Sequence, residues 1–254
     1  MEKSEIYNKI SNTDLRKENL ILATIVSTEF SDDDYLGEKI LFSDKKEFLS
    51  SLNNNKLCKQ ISEKINNNII FNKEKAETII FKIDNKNIEL FLDPIQDEPR
   101  LVIFGSGHVA QPLAKIAKIT GFTVNVIDDR RGLLNRDYFP SADNLIVSEF
   151  DSYLKDYKPH SDDYIVIVTR GHKHDYTVLS EVINSSAKYI GMIGSKHKVG
   201  LTFTKLKEEK NISEKKINKI DAPIGINLGS ETPSEIAVSI MSKIISVRRG
   251  LNEA

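Results

Sequence analysis

The chain has 254 residues, 39% of them hydrophobic, which allows one or two domains with cores of ordinary size. Its 36 basic and 37 acidic residues give a formal net charge of −1, and no Lys/Arg block stands out, which argues against binding nucleic acid by bulk electrostatics. The N-terminus is polar and no apolar run approaches the length of a membrane span, so we expect a cytoplasmic protein that contacts neither nucleic acid nor membrane.

The first 93 residues predict a small α+β module with little visible chemistry, since they contain no histidine and a single glycine. A helix or pair of helices is predicted over 45–65. Cys58, the one cysteine of the chain, excludes an internal disulfide, and its helical spacing to Ile61 and Ile65 predicts a buried structural thiol. The predicted strands cover 20–27, 39–42, 76–83 and 88–92.

Proline and glycine divide the chain. All seven prolines fall at or after Pro94, and eleven of the twelve glycines follow residue 104. The segment PIQDEP, residues 94–99, therefore predicts a linker. We place the domain boundary there, with a small α+β domain over 1–98 and a second domain over 99–254.

The second domain begins with LVIFGSGHVAQPLAKIAKITGFTVNVIDDRR, residues 101–131, which predicts a strand, a tight turn, a helix and another strand. Gly105 permits the turn, Gly107 allows close backbone approach to a phosphate, and Ala110 lets the helix pack on the strand. Asp128 ends the second strand, twenty-one residues after Gly107. We expect it to accept hydrogen bonds from ligand hydroxyl or amino groups; the alternative is that it pairs with Arg130 or Arg131. This pattern is typical of a dinucleotide-binding site, in which the helix N-terminus faces an anion.

Further strands are predicted over 144–147, 164–168, 188–193 and 223–228, and helical segments alternate with them. The last helix has the clearest start signal, because Thr232 and Glu235 form a capping-box pattern around Pro233. The alternation predicts an α/β fold in which the second domain is a doubly wound, mostly parallel, Rossmann-like sheet. We expect the strand order 3-2-1-4-5-6, numbered within this domain.

In such a sheet, ligands bind beyond the carboxyl ends of the strands. Four of the five histidines, including His108 and His197, lie in these predicted turns. His172 and His174 in TRGHKHD, residues 169–175, indicate a second wall of the site opposite the Gly105 turn. They are suited to hydrogen bonding a polar ligand or, with Glu231, to ligating a metal; both alternatives stay open. The predicted ligand-binding residues are Gly105, Ser106, Gly107, His108, Val109, Asp128, Arg130, Arg131, Thr169, His172, His174, Asp175, Gly194 and Glu231.

The ordered motifs GSGHVA, IDDRR, TRGHKHD, IGMIGSKHK and PIGINLGSETPSEIA resemble those of the XdhC/CoxI accessory proteins of molybdenum hydroxylases such as xanthine dehydrogenase. The resemblance covers roughly residues 88–250. It implies an accessory protein rather than an enzyme, which binds molybdenum cofactor (molybdopterin or its nucleotide form), protects it during sulfuration and helps to insert it into the apo-hydroxylase. The resemblance further implies two partners, the apo-hydroxylase and a cysteine desulfurase. It leaves open whether the chain forms a homodimer.

The N-terminal domain departs from that family, which usually carries a glycine-rich loop ending in Gly-Cys-Val-Glu. Here the corresponding stretch is LSSLNNNKLCKQ, with Cys58 near the expected place and no glycines. We therefore expect Cys58 to be dispensable for cofactor binding. The alternative function is that of an NAD(P)-binding oxidoreductase, with Asp128 on the ribose hydroxyls and a histidine as acid/base.

Overall fold

The computed structural model describes residues 3–15, 17–30, 35–45, 48–66, 76–95 and 97–251. Its contacts divide the chain into two compact units, Met1–Asp97 and Glu98–Ala254. None of the helices in the described ranges is long and apolar enough to cross a membrane.

The first unit is an antiparallel sheet with a helix on each face. Its strand order is β3-β2-β1-β5-β4. One face packs Leu20, Leu22 and Leu41 against Ile6 of the first helix, and the other buries Ile61 and Ile65 of the second. The elements are α1 (Lys3–Asn12), β1 (Leu20–Thr28), β2 (Lys39–Ser43), β3 (Phe48–Ser50), α2 (Asn55–Asn66), β4 (Glu77–Ile83) and β5 (Lys86–Ile95).

The prediction of helix over 45–65 was wrong in its first half. β3 pairs antiparallel with β2, with Phe48 opposite Phe42. The helix begins only after Asn54, which caps it because its side-chain oxygen accepts from the Leu57 N–H at 3.0 Å. The linker expected over 94–99 also starts later than predicted, since Pro94 is still in β5 opposite Ile21. Cys58 is buried at 4% exposure within this core, as predicted.

The second unit is a parallel sheet with helices on both faces, so the predicted fold class is confirmed. Its strand order is β10-β9-β6-β7-β8. Within the domain this is the order 5-4-1-2-3, which agrees with the prediction for the first five strands. Its elements are β6 (Arg100–Phe104), α3 (Ala110–Ile119), β7 (Thr123–Asp128), β8 (Asn144–Val147), α4 (Phe150–Asp156), β9 (Asp163–Ile167), α5 (His172–Val182), β10 (Tyr189–Met192), α6 (Lys196–Lys210), α7 (Glu214–Ile217) and α8 (Pro233–Arg248).

β6 is the central strand, fully buried from Leu101 to Phe104. One core lies between the sheet and helices α3 and α8, and includes Leu113 and Ile240. The other lies under α4, α5 and α6, and includes Phe150 and Leu179. The chain leaves β6 toward β7 on one side and returns to β9 on the other, so strand order reverses between β6 and β9. This is the point at which such sheets bind ligands.

The sixth predicted strand, 223–228, is not formed. Asp221 makes an isolated bridge to Gly191, and the Ile224 N–H donates to the Met192 carbonyl at 3.0 Å, but the pairing goes no further. Pro223 has no N–H to offer a neighbouring strand, and Gly225, at φ +97°, turns the chain away toward α8. The capping box predicted for α8 is confirmed, with Thr232 and Glu235 each capping the other's backbone.

Candidate ligand-binding site

The turn that follows β6 lies directly against the residues that follow β9. A Cβ built on Gly105 would sit 2.3 Å from the carbonyl oxygen of Val168, and the φ of Gly105 is +117°. Only glycine meets both requirements, because other residues disfavour this φ and carry a Cβ. The Gly105 turn and the start of TRGHKHD are therefore neighbours at the carboxyl edge of the sheet.

Beyond Gly105 the turn presents free backbone donors. The N–H groups of Gly107, His108 and Val109 have no hydrogen-bond partner among the described residues, whereas the Ala110 N–H already bonds to the Gly107 carbonyl at 3.0 Å. A Cβ on Gly107 would meet no atom within 4 Å, so open space lies beside this turn. Free N–H groups at the start of α3 form an anion-binding arrangement.

Asp128, at the end of β7, is 1% exposed and connects the turn to the loop after β7. Its Oδ2 accepts from the Ser106 N–H at 2.7 Å and from Nη2 of Arg130 at 2.8 Å. Its Oδ1 accepts from the Arg130 N–H at 2.9 Å and from Nε of Arg130 at 2.8 Å. The carboxylate thus holds Arg130 in a bidentate pair beside the Gly105 turn.

These bonds determine the charge state of the Asp128 carboxyl. Burial alone would raise its pKa, but the hydrogen bonds from Arg130 and Ser106 outweigh burial and hold the pKa well below its usual value. Arg130 in turn has its pKa raised by the hydrogen bond to Asp128. The pair is fully ionised at neutral pH. Its negative charge is buried, while the Arg130 side chain is 25% exposed.

The TRGHKHD segment begins two residues after the end of β9 and continues into the first turn of α5, where the sequence predicted a strand-end turn. The Thr169 hydroxyl donates to Oδ1 of Asp175 at 2.6 Å, and this bond ties the segment to the helix. The His174 ring packs edge-on against Phe150, with ring centroids 5.4 Å apart. His172 is the first residue of α5, and its side chain lies outside the described part of the structure.

The remaining predicted residues lie at the same edge but farther along the sheet. Gly194 follows β10, just before Ser195, which caps α6. Glu231 is exposed, and its N–H donates to Glu235 in the cap of α8 at 2.9 Å. Among the described residues no group of three or more His, Cys, Asp or Glu side chains is placed to hold a metal ion.

Sequence reasoning missed two features of this edge. Pairing of Asp128 with Arg130 is one of the two roles that the sequence left open, but spacing does not show that Arg130 and Ser106 together occupy both carboxylate oxygens. Ser230, in the loop before α8, has a buried hydroxyl oxygen with no hydrogen-bond partner in the described ranges. A buried, unpartnered polar atom is unusual enough to mark that loop for attention.

Comparison with known proteins identifies the family of the second domain. Residues 101–244 match the family model described as the XdhC Rossmann domain. The chain belongs to the XdhC family. The resemblance in the sequence motifs is therefore confirmed, and the matched range contains every residue predicted for the site.

Two curated proteins are related to this XdhC-family chain. The uncharacterized protein YqeB of Escherichia coli (strain K12) is 34% identical over 151 residues, covering 59% of this chain and 27% of YqeB. A probable xanthine dehydrogenase subunit of Bacillus subtilis (strain 168) is 32% identical over 165 residues, covering 65% of this chain and 48% of that protein. The matches thus span less than half the length of either relative.

A solved structure shares the fold of the whole chain. The crystal structure of a xanthine dehydrogenase from Bacillus halodurans superposes with a TM-score of 0.54 at 20% sequence identity. The match covers 100% of this chain and 98% of that one, so it extends to the N-terminal unit that the family model does not reach.

Proposed function

We propose that this XdhC-family chain is an accessory protein that binds molybdenum cofactor, as molybdopterin or its nucleotide form, and assists its maturation and insertion into a xanthine dehydrogenase-type hydroxylase. The observation that supports this most directly is the turn after β6, which has an anion-binding arrangement and lies where the strand order of the sheet reverses. It offers the backbone N–H groups of Gly107, His108 and Val109, which bond to no other group in the described ranges. The family to which the chain belongs supplies the class of ligand.

The residues of the site fit the phosphate of a molybdopterin. The open space beside Gly107 lets a phosphate approach the backbone donors without a side chain in the way. Arg130 is fixed next to the same turn through Asp128, and the exposed Arg131 follows it. When bound, the cofactor supplies redox chemistry at molybdenum, which the partner hydroxylase uses. The chain's own residues hold the cargo and keep its phosphate oriented.

We infer the type of partner protein from the names of the relatives. The Bacillus subtilis relative is called a probable xanthine dehydrogenase subunit, so the hydroxylase that receives the cofactor is of the xanthine dehydrogenase type. A cysteine desulfurase is the second partner, because accessory proteins of the family that the motifs resemble protect the cofactor while it is sulfurated, before its insertion. A homodimer is compatible with this function and is tested by measuring the mass of the protein in solution.

The binding test compares two glycine variants. Gly107→Ala adds one methyl group to the open space beside the turn over residues 105–109, here called the phosphate turn, where no atom of the described residues lies within 4 Å. Gly200→Ala makes the same change on the exposed side of α6, where the space is equally open. We expect Gly107→Ala to weaken molybdopterin binding at least about tenfold, because a methyl group blocks close approach of the phosphate to the backbone. Gly200→Ala should bind as the wild type does.

Bound ligand is quantified by pterin fluorescence after oxidation, and melting temperature is followed in parallel. Nicotinamide dinucleotide is the competing ligand, and it is distinguished from pterin by its absorbance. Binding of NADH or NADPH without any binding of molybdopterin would support the oxidoreductase alternative. Equal pterin binding by the wild type and Gly107→Ala would move the site away from this turn.

A further inference from the structure

The acid at the end of β7 already accepts four hydrogen bonds from the protein itself. In a dinucleotide site the carboxylate at this point accepts hydrogen bonds from the ribose hydroxyls. A carboxylate has about four lone-pair positions for accepting hydrogen bonds. In Asp128 they are filled by the Ser106 N–H, the Arg130 N–H, and Nε and Nη2 of Arg130.

A ribose diol would therefore have to displace bonds that the protein already makes. Asp128 is 1% exposed, so its oxygens present almost no surface to a ligand. Displacing Ser106 or Arg130 would leave a donor without a partner in a largely buried position, which costs more than the new bond returns. The end of β7 is consequently closed to a neutral diol.

Arg130 and Arg131 follow Asp128 after the exposed carboxylate of Asp129, whose Oδ1 lies 3.9 Å from Nε of Arg130. Nε and Nη2 of Arg130 are bound to Asp128, whereas its Nη1 has no partner among the described residues. Arg131 is exposed and has no described partner either. The Ser106 N–H and Nη2 of Arg130 share one carboxylate oxygen, which puts Arg130 within two hydrogen-bond lengths of the phosphate turn. A guanidinium held in this way suits an anion with several oxygens.

We propose that Asp128 is a positioning residue that holds Arg130 beside the phosphate turn, and that the site consequently selects ligands carrying a phosphomonoester and rejects ligands that offer a ribose diol at the end of β7. This inference rests on the proposed function for the identity of the cargo, and of the two forms named there it keeps only molybdopterin, because the nucleotide form has no phosphomonoester. It adds that the phosphate is the main determinant of affinity, and that NAD is excluded by the protein's own hydrogen bonds.

Two matched ligand pairs test the inference. The first is the fluorescent pterin phosphomonoester obtained by oxidising molybdopterin, and the same pterin after phosphatase treatment. The second is NADP⁺ and NAD⁺, which differ by one phosphate on the ribose. The measured quantity is the phosphate preference, defined as the dissociation constant without the phosphate divided by that with it. We expect a preference of at least about tenfold for the wild-type protein, as one charge-assisted contact supplies.

Two variants separate positioning from general stability. Asp128→Asn keeps the size of the side chain but loosens Arg130, and Arg131→Gln removes an exposed cation with no described partner. Both should reduce the phosphate preference to about threefold or less while leaving the affinity for the dephosphorylated pterin unchanged. Lys215→Gln removes an exposed cation from α7 and should keep the wild-type preference. A purely structural Asp128 would weaken both pterins equally, and that result would overturn its positioning role.

The remaining outcomes distinguish this inference from the proposed function. If both pterins bind the wild type equally, the phosphate preference is overturned and the proposed function stands. If NADP⁺ binds more tightly than NAD⁺ and neither pterin binds, the phosphate preference stands and the proposed function falls. If NAD⁺ binds at least as tightly as NADP⁺, or if none of the ligands binds, the inference is overturned. The wild-type measurements decide these outcomes even if Asp128→Asn does not fold.

Discussion

The two edges of the parallel sheet each carry a bidentate arginine–aspartate pair, and the pairs differ in what they leave exposed. At the amino edge, Asp163 pairs with Arg100 at 2.6 and 2.7 Å and also accepts from the Tyr157 hydroxyl at 2.9 Å and the His160 N–H at 2.8 Å. Arg100 is 15% exposed and lies over the Tyr157 ring. At the carboxyl edge, Arg130 is 25% exposed and lies beside free backbone donors. The same type of ion pair is thus more enclosed at the amino edge than at the carboxyl edge, where we propose that an anion binds.

We expect the largest effect on stability from breaking the Arg100–Asp163 pair at the amino edge. Asp163→Ala leaves the Arg100 guanidinium partly buried without its partner and removes the acceptor for Tyr157 and His160. We expect a loss of about 3–5 kcal/mol in the free energy of unfolding, the usual cost of an uncompensated buried charge. Urea denaturation measures it. The fraction that remains folded at low temperature should still bind pterin, and loss of pterin binding there would contradict the division of roles between the edges.

The next largest effect on stability is expected from one of the two glycines in the turn after β6. Gly105→Ala places a methyl group against the Val168 backbone and forces alanine to φ +117°, whereas Gly107→Ala meets no atom. We expect Gly105→Ala to lose about 3 kcal/mol or more of unfolding free energy. Gly107→Ala should keep the wild-type melting temperature. A thermal melt of the two variants side by side measures both, and equal melting temperatures would contradict this account of the turn.

A smaller effect is expected at Cys58, outside the parallel sheet. Cys58→Ser puts a hydroxyl into an apolar core, where Cys58 is 4% exposed, and should lower the free energy of unfolding by about 1–2 kcal/mol. Pterin retention per folded molecule should match that of the wild type, since the predicted site lies in the second unit. Severe loss of retention in a folded Cys58→Ser protein would show a direct role for the thiol.

The last effect is a pH dependence of the free energy of unfolding, which arises from the titration of Asp128 and appears only in acid. Because its folded-state pKa is depressed, its ionisation stabilises the fold above the unfolded-state pKa of about 3.9, and this stabilisation is lost as pH falls toward the folded-state value. The difference in unfolding free energy between wild type and Asp128→Asn should be constant from about pH 7 to 5 and shrink below about pH 4. A difference that does not vary with pH would mean that the pKa is not depressed.

The sequence predicted the part of the fold that periodic hydrophobic runs determine. The five parallel strands, their order and the central place of Leu101–Phe104 follow from buried runs alternating with helices. The failures are local. Residues 223–228 are apolar enough for a strand, but Pro223 and the φ of Gly225 prevent pairing. Phe48–Ser50 is too short for its period to separate strand from helix, and its pairing with β2 decides the outcome.

For the site, sequence reasoning located the edge but not the roles. The glycine turn, Asp128 and Arg130 were predicted to lie together, and they do. The sequence left open whether Asp128 pairs with Arg130 or faces a ligand, because that choice depends on side-chain torsions and on burial. The packing of the His174 ring against Phe150 is hidden for the same reason, since it requires α4 and α5 to be placed next to each other.

The most direct test of the account is a crystal structure of the protein soaked with the pterin phosphomonoester. We expect its phosphate on the N–H groups of Gly107, His108 and Val109, with Arg130 in contact and both oxygens of Asp128 still bound to Ser106 and Arg130. A pterin bound away from this turn, or a ligand hydroxyl bonded directly to Asp128, would contradict the account.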